Sequence, residues 1–216
     1  MPNPVNTPML TEKGETKLTI GYTNGLQGQF ASAITDEIGV MANGGFGSDE
    51  KSNSGLSKSN RKITSNFFEG GIGYFSRLSG SLIFEFYGGA GYGHFNDEEK
   101  NNSSSSSFGS VKGNIARFFI QPSFGLALNG LSLSLALRNS YVNLLNYTAV
   151  KDNVTLGKGG IFFEPALTMK IGGKKFKFIM QLALSLPFDG AEVNGWDVQF
   201  ATGIIGLEFN LGEIFK

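Results

Sequence analysis

Asn129-Gly130-Leu131-Ser132-Leu133-Ser134-Leu135-Ala136-Leu137-Arg138, continuing through Asn139-Ser140-Tyr141-Val142-Asn143, is the stretch whose reading decides the fold. Four leucines alternate with Ser132, Ser134, Ala136 and Arg138, so a β-strand places the leucines on one face and small, polar or charged groups on the other. A helix would scatter both sets around its circumference. The same two-residue period recurs about ten times along the chain, separated by links that are alternately tight and long. This pattern predicts an all-β protein, a closed antiparallel up-and-down barrel of about ten strands, or eight if the first hairpin lies outside the wall.

Composition narrows the class. The 216 residues suit one domain, and at 40% hydrophobic content, with no run of roughly 18 apolar residues, the chain cannot cross a membrane as helices. The high counts of Gly (31) and Phe (20) fit tightly curved strands and aromatic girdles. A net charge of +0 without a basic stripe gives no nucleic-acid surface, and the lack of cysteine removes disulfides, thiolate metal sites and Cys nucleophiles. No secretory leader is visible at Met1, so a removed leader, or a lost lipid-modified cysteine, is the expectation for an exported protein.

Residues 1–14 carry Pro2, Pro4 and Pro8 and are expected to form an extended lead-in, with the barrel occupying 15–216. Short links are predicted at 35–37, 76–80, 129–130 and 172–175, and a tight first hairpin at Asn24-Gly25. Long polar links are predicted at 47–61, 96–113, 146–160 and 187–195. One rim therefore carries turns and the other loops. The closing strand is placed at 196–211, with a bulge around 203–206 where its alternation slips.

Alternation alone does not say which face points outward, because a soluble lipocalin-like binder keeps its apolar face inside. The charges decide it. Glu69, Arg138 and Glu164 each lie about eight residues from a short turn, at one level of the wall. On a lipid-facing surface such charges cost roughly 2–4 kcal/mol for Arg or Lys, whereas inside a narrow barrel they can pair. The predicted lumen set is Glu69, Glu85, Arg117, Gln121, Arg138, Glu164 and Gln181, read as a side-chain plug in preference to an ion path. Tyr22, Tyr74, Tyr92, Tyr141, Tyr147 and Trp196 are expected in an interfacial aromatic girdle.

On these residues the chain resembles the small outer-membrane β-barrel proteins of Gram-negative bacteria. Gly206-Leu207-Glu208-Phe209-Asn210-Leu211 is similar to the closing-strand signal of that group, with Gly206, Phe209 and Leu211 as its marked positions; Ile204, where a polar residue is usual, and Lys216 after Phe215 depart from it. The Gly and aromatic spacing of residues 67–94 and the Pro-Val-Asn-Thr-Pro lead-in resemble Bacteroidota versions. The resemblance implies a bacterial outer-membrane location, contact with outer-membrane lipid and lipopolysaccharide, delivery by the barrel-assembly machinery and, for some members, a larger outer-membrane complex.

No catalytic constellation is evident. His94 is the sole histidine, and a rim-located lipid or peptide hydrolase would need Asp97 to orient it and one of Ser103 to Ser107 as nucleophile. Asp97, Glu98 and Glu99, like Asp49 and Glu50, suit solvated loop charge better than a cation site. The expectation is therefore a non-enzymatic barrel without cofactor or metal, in a structural or recognition role or as an accessory subunit. A small porin-like channel, the lipocalin-like binder and the hydrolase are the alternatives.

Overall fold

The computed structural model describes residues 5–52, 59–101, 107–149, 158–188 and 200–214. The chain rises and falls through β1 (Thr16–Thr23), β2 (Gly25–Ala33), β3 (Ile38–Ser52), β4 (Ser59–Ser79), β5 (Leu82–Asn101) and β6 (Ser107–Leu128). It continues through β7 (Leu131–Ala149), β8 (Gly159–Gly172), β9 (Phe176–Leu184), the two-residue β10 (Leu186–Pro187) and β11 (Ala201–Asn210). Each neighbouring pair is antiparallel; β9 pairs with both β8 and β11, and β1 pairs with β11, which closes the barrel. Because β10 prolongs β9 along β8, the described residues form a ten-stave wall, and the first hairpin belongs to it.

The faces are set by the period of two. Leu126, Leu128, Leu135, Leu167, Leu182, Ile205 and Leu207 are each more than two-fifths exposed on the exterior. On the lumen side Ser132, Ser134, Ala136 and Arg138 are buried. A soluble binder would have these faces reversed. The outward apolar positions of β4 run from Phe68 to Leu78, about ten residues, which at the usual tilt gives a belt roughly 25 Å tall. At the short-turn rim, Gly130 (φ 79°) and Gly80 (φ 48°) occupy the left-handed region that tight reversals need.

Three expectations need correction. The ladders continue well into what reads as loop: Gly47–Ser52 pairs with residues 60–65, Asn96–Asn101 pairs with β4, and β7 stays paired to Ala149. Above the lipid belt neither face has to be apolar, so polar residues form strand that a hydrophobic period does not detect. The wall is consequently lopsided: β4 to β6 span 20 to 22 residues, whereas β1, β2, β9 and β11 span 8 to 10. No bulge interrupts β11, whose register is continuous on both sides; Ile204 simply points inward, 5% exposed, in front of Gly21. The strand also ends at Asn210, and Leu211 opens a single helical turn, α1 (Leu211–Ile214).

Candidate functional site in the barrel lumen

Residues 5–10 lie inside the barrel, with Val5, Asn6, Thr7, Met9 and Leu10 all buried. The chain runs down the lumen to the short-turn rim, reverses at Gly14 (φ 82°), whose N–H donates to the Ala33 carbonyl, and climbs back as β1. Pro8 has no N–H to give and residues 5–10 join none of the described strands, so their main-chain groups need partners from elsewhere.

The lumen supplies those partners. Gln181 reads both sides of Val5: the Val5 N–H donates to its Oε1 (3.2 Å) and its Nε2 donates to the Val5 carbonyl (2.6 Å). Gln121 Nε2 donates to the Asn6 carbonyl (2.7 Å), and Lys170 Nζ to the Thr7 carbonyl (2.8 Å). Lys17 Nζ clasps the carbonyls of Pro8 (2.9 Å) and Met9 (2.8 Å). Glu85 Oε1 accepts the Leu10 N–H at 3.0 Å. Met9 has φ 55°, a conformation that costs an L-residue about 1–2 kcal/mol and turns two successive carbonyls toward the same ammonium.

Side chains of the segment occupy fitted recesses. Val5 packs against Ala136, Ala166 and Ala183. Leu10 packs with Phe75 and Tyr87, and a Cβ at Gly39 would sit 2.7 Å from Leu10 Cδ1. A Cβ at Gly125 would meet Met9 Cε at 2.5 Å. Asn6 Nδ2 donates to Asn43 Oδ1 (2.8 Å), and Ser134 Oγ to Thr7 Oγ1 (3.0 Å). A void beside Thr7, bordered by Thr19, Gln29, Thr168 and Lys170, measures about 10 Å³, room for one water.

Above the segment lies a charged layer built from the predicted lumen residues. Arg138 and Glu69 are fully buried and paired at 3.0 Å, Arg138 Nη1 donates to Glu69 Oε2 (3.2 Å), and Asn43 Nδ2 also donates to Glu69 (2.7 Å). Both Nε and Nη2 of Arg138 donate to Gln121 Oε1 (3.0 and 2.8 Å), and its guanidinium lies 4.4 Å from the Phe119 ring centre. Arg117 sits over Phe67 and 3.6 Å from Glu164, which accepts from Ser140 (2.7 Å). Higher still, Ile115, Val142, Phe162, Phe95 and Leu144 form an apolar cluster.

All seven predicted lumen residues therefore point inward, but they divide in function. Glu69, Arg138, Arg117 and Glu164 bind wall to wall, whereas Gln121, Gln181 and Glu85 bind both the segment and the wall. Outside the predicted set, the lumen lining also holds Lys170 and Glu208, paired at 2.6 Å, and Lys17 and Glu15, paired at 3.0 Å. One signal was present: the inward positions near the turns are small (Ala31, Ala33, Gly39, Gly125, Ser132, Ser134, Ala136), too small to fill a barrel by themselves.

Tyr22, Tyr74, Tyr92 and Tyr141 are exposed on the outer surface. Tyr147 lies beyond the irregularity at Asn114/Ile115 and pairs with Gly113, on the lumen-side phase at the loop rim. Trp196 lies outside the described residues. Gly206 faces Gly21 at the β1–β11 seam, where an added Cβ would meet Ile20 O at 2.5 Å. Phe209 stacks edge-on against Phe176 (5.5 Å). His94 Nδ1 is 2.9 Å from Asn114 Oδ1, and Asp97 accepts from Arg61 Nε (2.9 and 3.1 Å), so Asp97 does not orient the histidine. Of Ser103 to Ser107, those at 103–106 lie outside the described residues. No cluster of three or more metal-ligating side chains occurs among the described residues. Beyond the belt, Lys62 pairs with Glu50 at 2.9 Å, and that hydrogen bond and charge raise its ammonium above the usual range.

No protein-family model matches the chain, and no curated protein sequence matches it. Among solved structures, the translocator domain of autotransporter NalP from Neisseria meningitidis aligns over 90% of this chain and 86% of that chain, with a TM-score of 0.51 at 13% identity. Acinetobacter baumannii CarO aligns over 95% of this chain and 100% of that chain, with a TM-score of 0.36 at 10% identity. The fold, closed and antiparallel with an apolar exterior and a polar interior, is that of an outer-membrane β-barrel, and it places the chain in the bacterial outer membrane.

Proposed function

We propose that this is a closed, non-conducting outer-membrane barrel whose lumen is stoppered by its own N-terminal segment, acting in recognition or as an accessory subunit through the wall and loops it raises on one side. The observation that carries this reading is the continuous filling of the lumen: residues 5–10 in the turn-side half, the Arg138 layer at mid-height and the Phe162 cluster above it. A barrel of this width has no second path for ions once those layers are filled. Lipopolysaccharide would meet the aromatic exterior, and the external partner would meet the projecting β3–β7 wall. No step of catalysis is assigned, since His94 and Asp97 are committed to other partners.

The test is electrical. The intact chain reconstituted in planar bilayers gives no stepwise current. Stepwise currents from the intact chain that change on Arg138→Ala would instead establish the channel alternative.

A further inference from the structure

We infer that the turn-side half of the lumen is a peptide-binding site in its own right, with residues 5–10 as the resident ligand, and that it accepts an extended chain end offered in trans from the short-turn rim. The inference rests on the closure proposed above and adds a ligand class to it.

The first argument is which atoms are recognised. The main-chain groups of Val5, Asn6, Thr7, Pro8, Met9 and Leu10 are each met by a lumen side chain, and four of the donors or acceptors are charged or amide groups from strands distant in sequence. Main-chain recognition holds any extended peptide, whereas recesses for alternate side chains confer selectivity, the division of labour seen wherever proteins bind peptides in extended form. Here the recesses are the three alanines under Val5, Gly125 under Met9, and the Gly39, Phe75 and Tyr87 pocket under Leu10. They select a β-branched residue followed at the fourth and fifth positions by two large apolar ones.

The second argument is topological. The segment joins the wall through residues 11–14, on the rim where α1 and the short turns also lie. Four residues span at most about 14 Å, less than the roughly 20 Å backbone diameter of a ten-stave barrel. A second copy therefore cannot donate its own segment without unravelling β1, and the occupant in trans is a free chain end of a partner. In outer-membrane barrels the short turns face the periplasm, so that partner is periplasmic.

The experiment keeps the whole chain. A protease-recognition insert is placed between the exposed Lys13 and Gly14, the protein is folded in detergent with its segment in place, and the insert is then cut. A fluorescent peptide of residues 5–13 is added and its anisotropy followed. The expected result is slow exchange of the cut segment for the labelled peptide. Replacing the Met9–Leu10 amide of the peptide by an ester, which removes the Leu10 N–H that Glu85 accepts, weakens binding at least ten-fold. Leu10→Glu in the peptide abolishes exchange. Loss of the cut segment with no peptide uptake, or uptake of a scrambled peptide as readily as the parent, would overturn the inference. Bilayer recording separates the two proposals: current from the uncut chain sinks the closure, whereas a silent uncut barrel that takes up no peptide after cutting sinks only the receptor.

Discussion

Replacing Arg138 by Met removes the cation at the centre of the wall-to-wall layer while keeping most of the side chain's length. Glu69, fully buried, then keeps only the Asn43 amide among the partners described, and Gln121 Oε1 loses both of its N–H donors. Stranding a buried carboxylate costs roughly 3–5 kcal/mol. An unsatisfied amide oxygen adds about 1 kcal/mol. The sum shifts the unfolding equilibrium by about three to four powers of ten. Removing the anion as well, in Arg138→Met/Glu69→Leu, recovers most of that loss, because an apolar pair of similar volume carries no desolvation penalty. Equilibrium urea titration in lipid vesicles, followed by far-UV circular dichroism in both directions, measures all three proteins. A single variant that loses less than about 1 kcal/mol, or a double variant no more stable than the single, would refute the assignment of the layer as a mutually dependent charge pair.

Other outcomes follow from the same geometry. Met9→Cys with Gly125→Cys forms an intrachain disulfide on mild oxidation, seen as a mobility change without reductant, because a Cβ at Gly125 sits 3.3 Å from the Met9 Cγ that a cysteine sulfur would replace; free thiols after oxidation would place the segment outside the lumen. Tyr87→Phe leaves the barrel as stable or about 1 kcal/mol more stable in the same urea titration, since the Tyr87 hydroxyl is buried without a hydrogen-bond partner among the described residues. Gly206→Val forces β1 from β11 and costs roughly 1–3 kcal/mol, read as loss of the fast-migrating unheated band on SDS gels. His94→Ala, which breaks one half-buried contact to Asn114, changes stability by less than about 1 kcal/mol and abolishes no lipase or peptidase activity; a hydrolytic activity lost in this variant would revive the enzyme alternative.

Local pattern carried far because a membrane barrel obeys one local rule. The run Leu131 to Arg138 showed which residues share a face, the charges at 69, 138 and 164 showed which face is dry, and the short links showed which rim is which. Each of these depends on neighbours in sequence and on the cost of charge in lipid. The rule fails where its physical cause stops acting. Past the belt, residues 47–52 and 96–101 stay in ladder without any apolar alternation, and at Ile204 an apolar residue turns inward because the lumen at Gly21 offers it apolar contact.

By itself the sequence determined the strands, their faces, the closed barrel and the membrane it spans, since period-two chemistry and turn residues are written in adjacent positions. Only the tertiary structure decided what fills the barrel. Residues 5–10 carry no strand or helix signal, and their hydrogen bonds go to Gln121, Lys170 and Gln181, more than a hundred positions away. A main chain that cannot satisfy itself leaves no pattern of its own; its partners are visible only once the wall has brought them together.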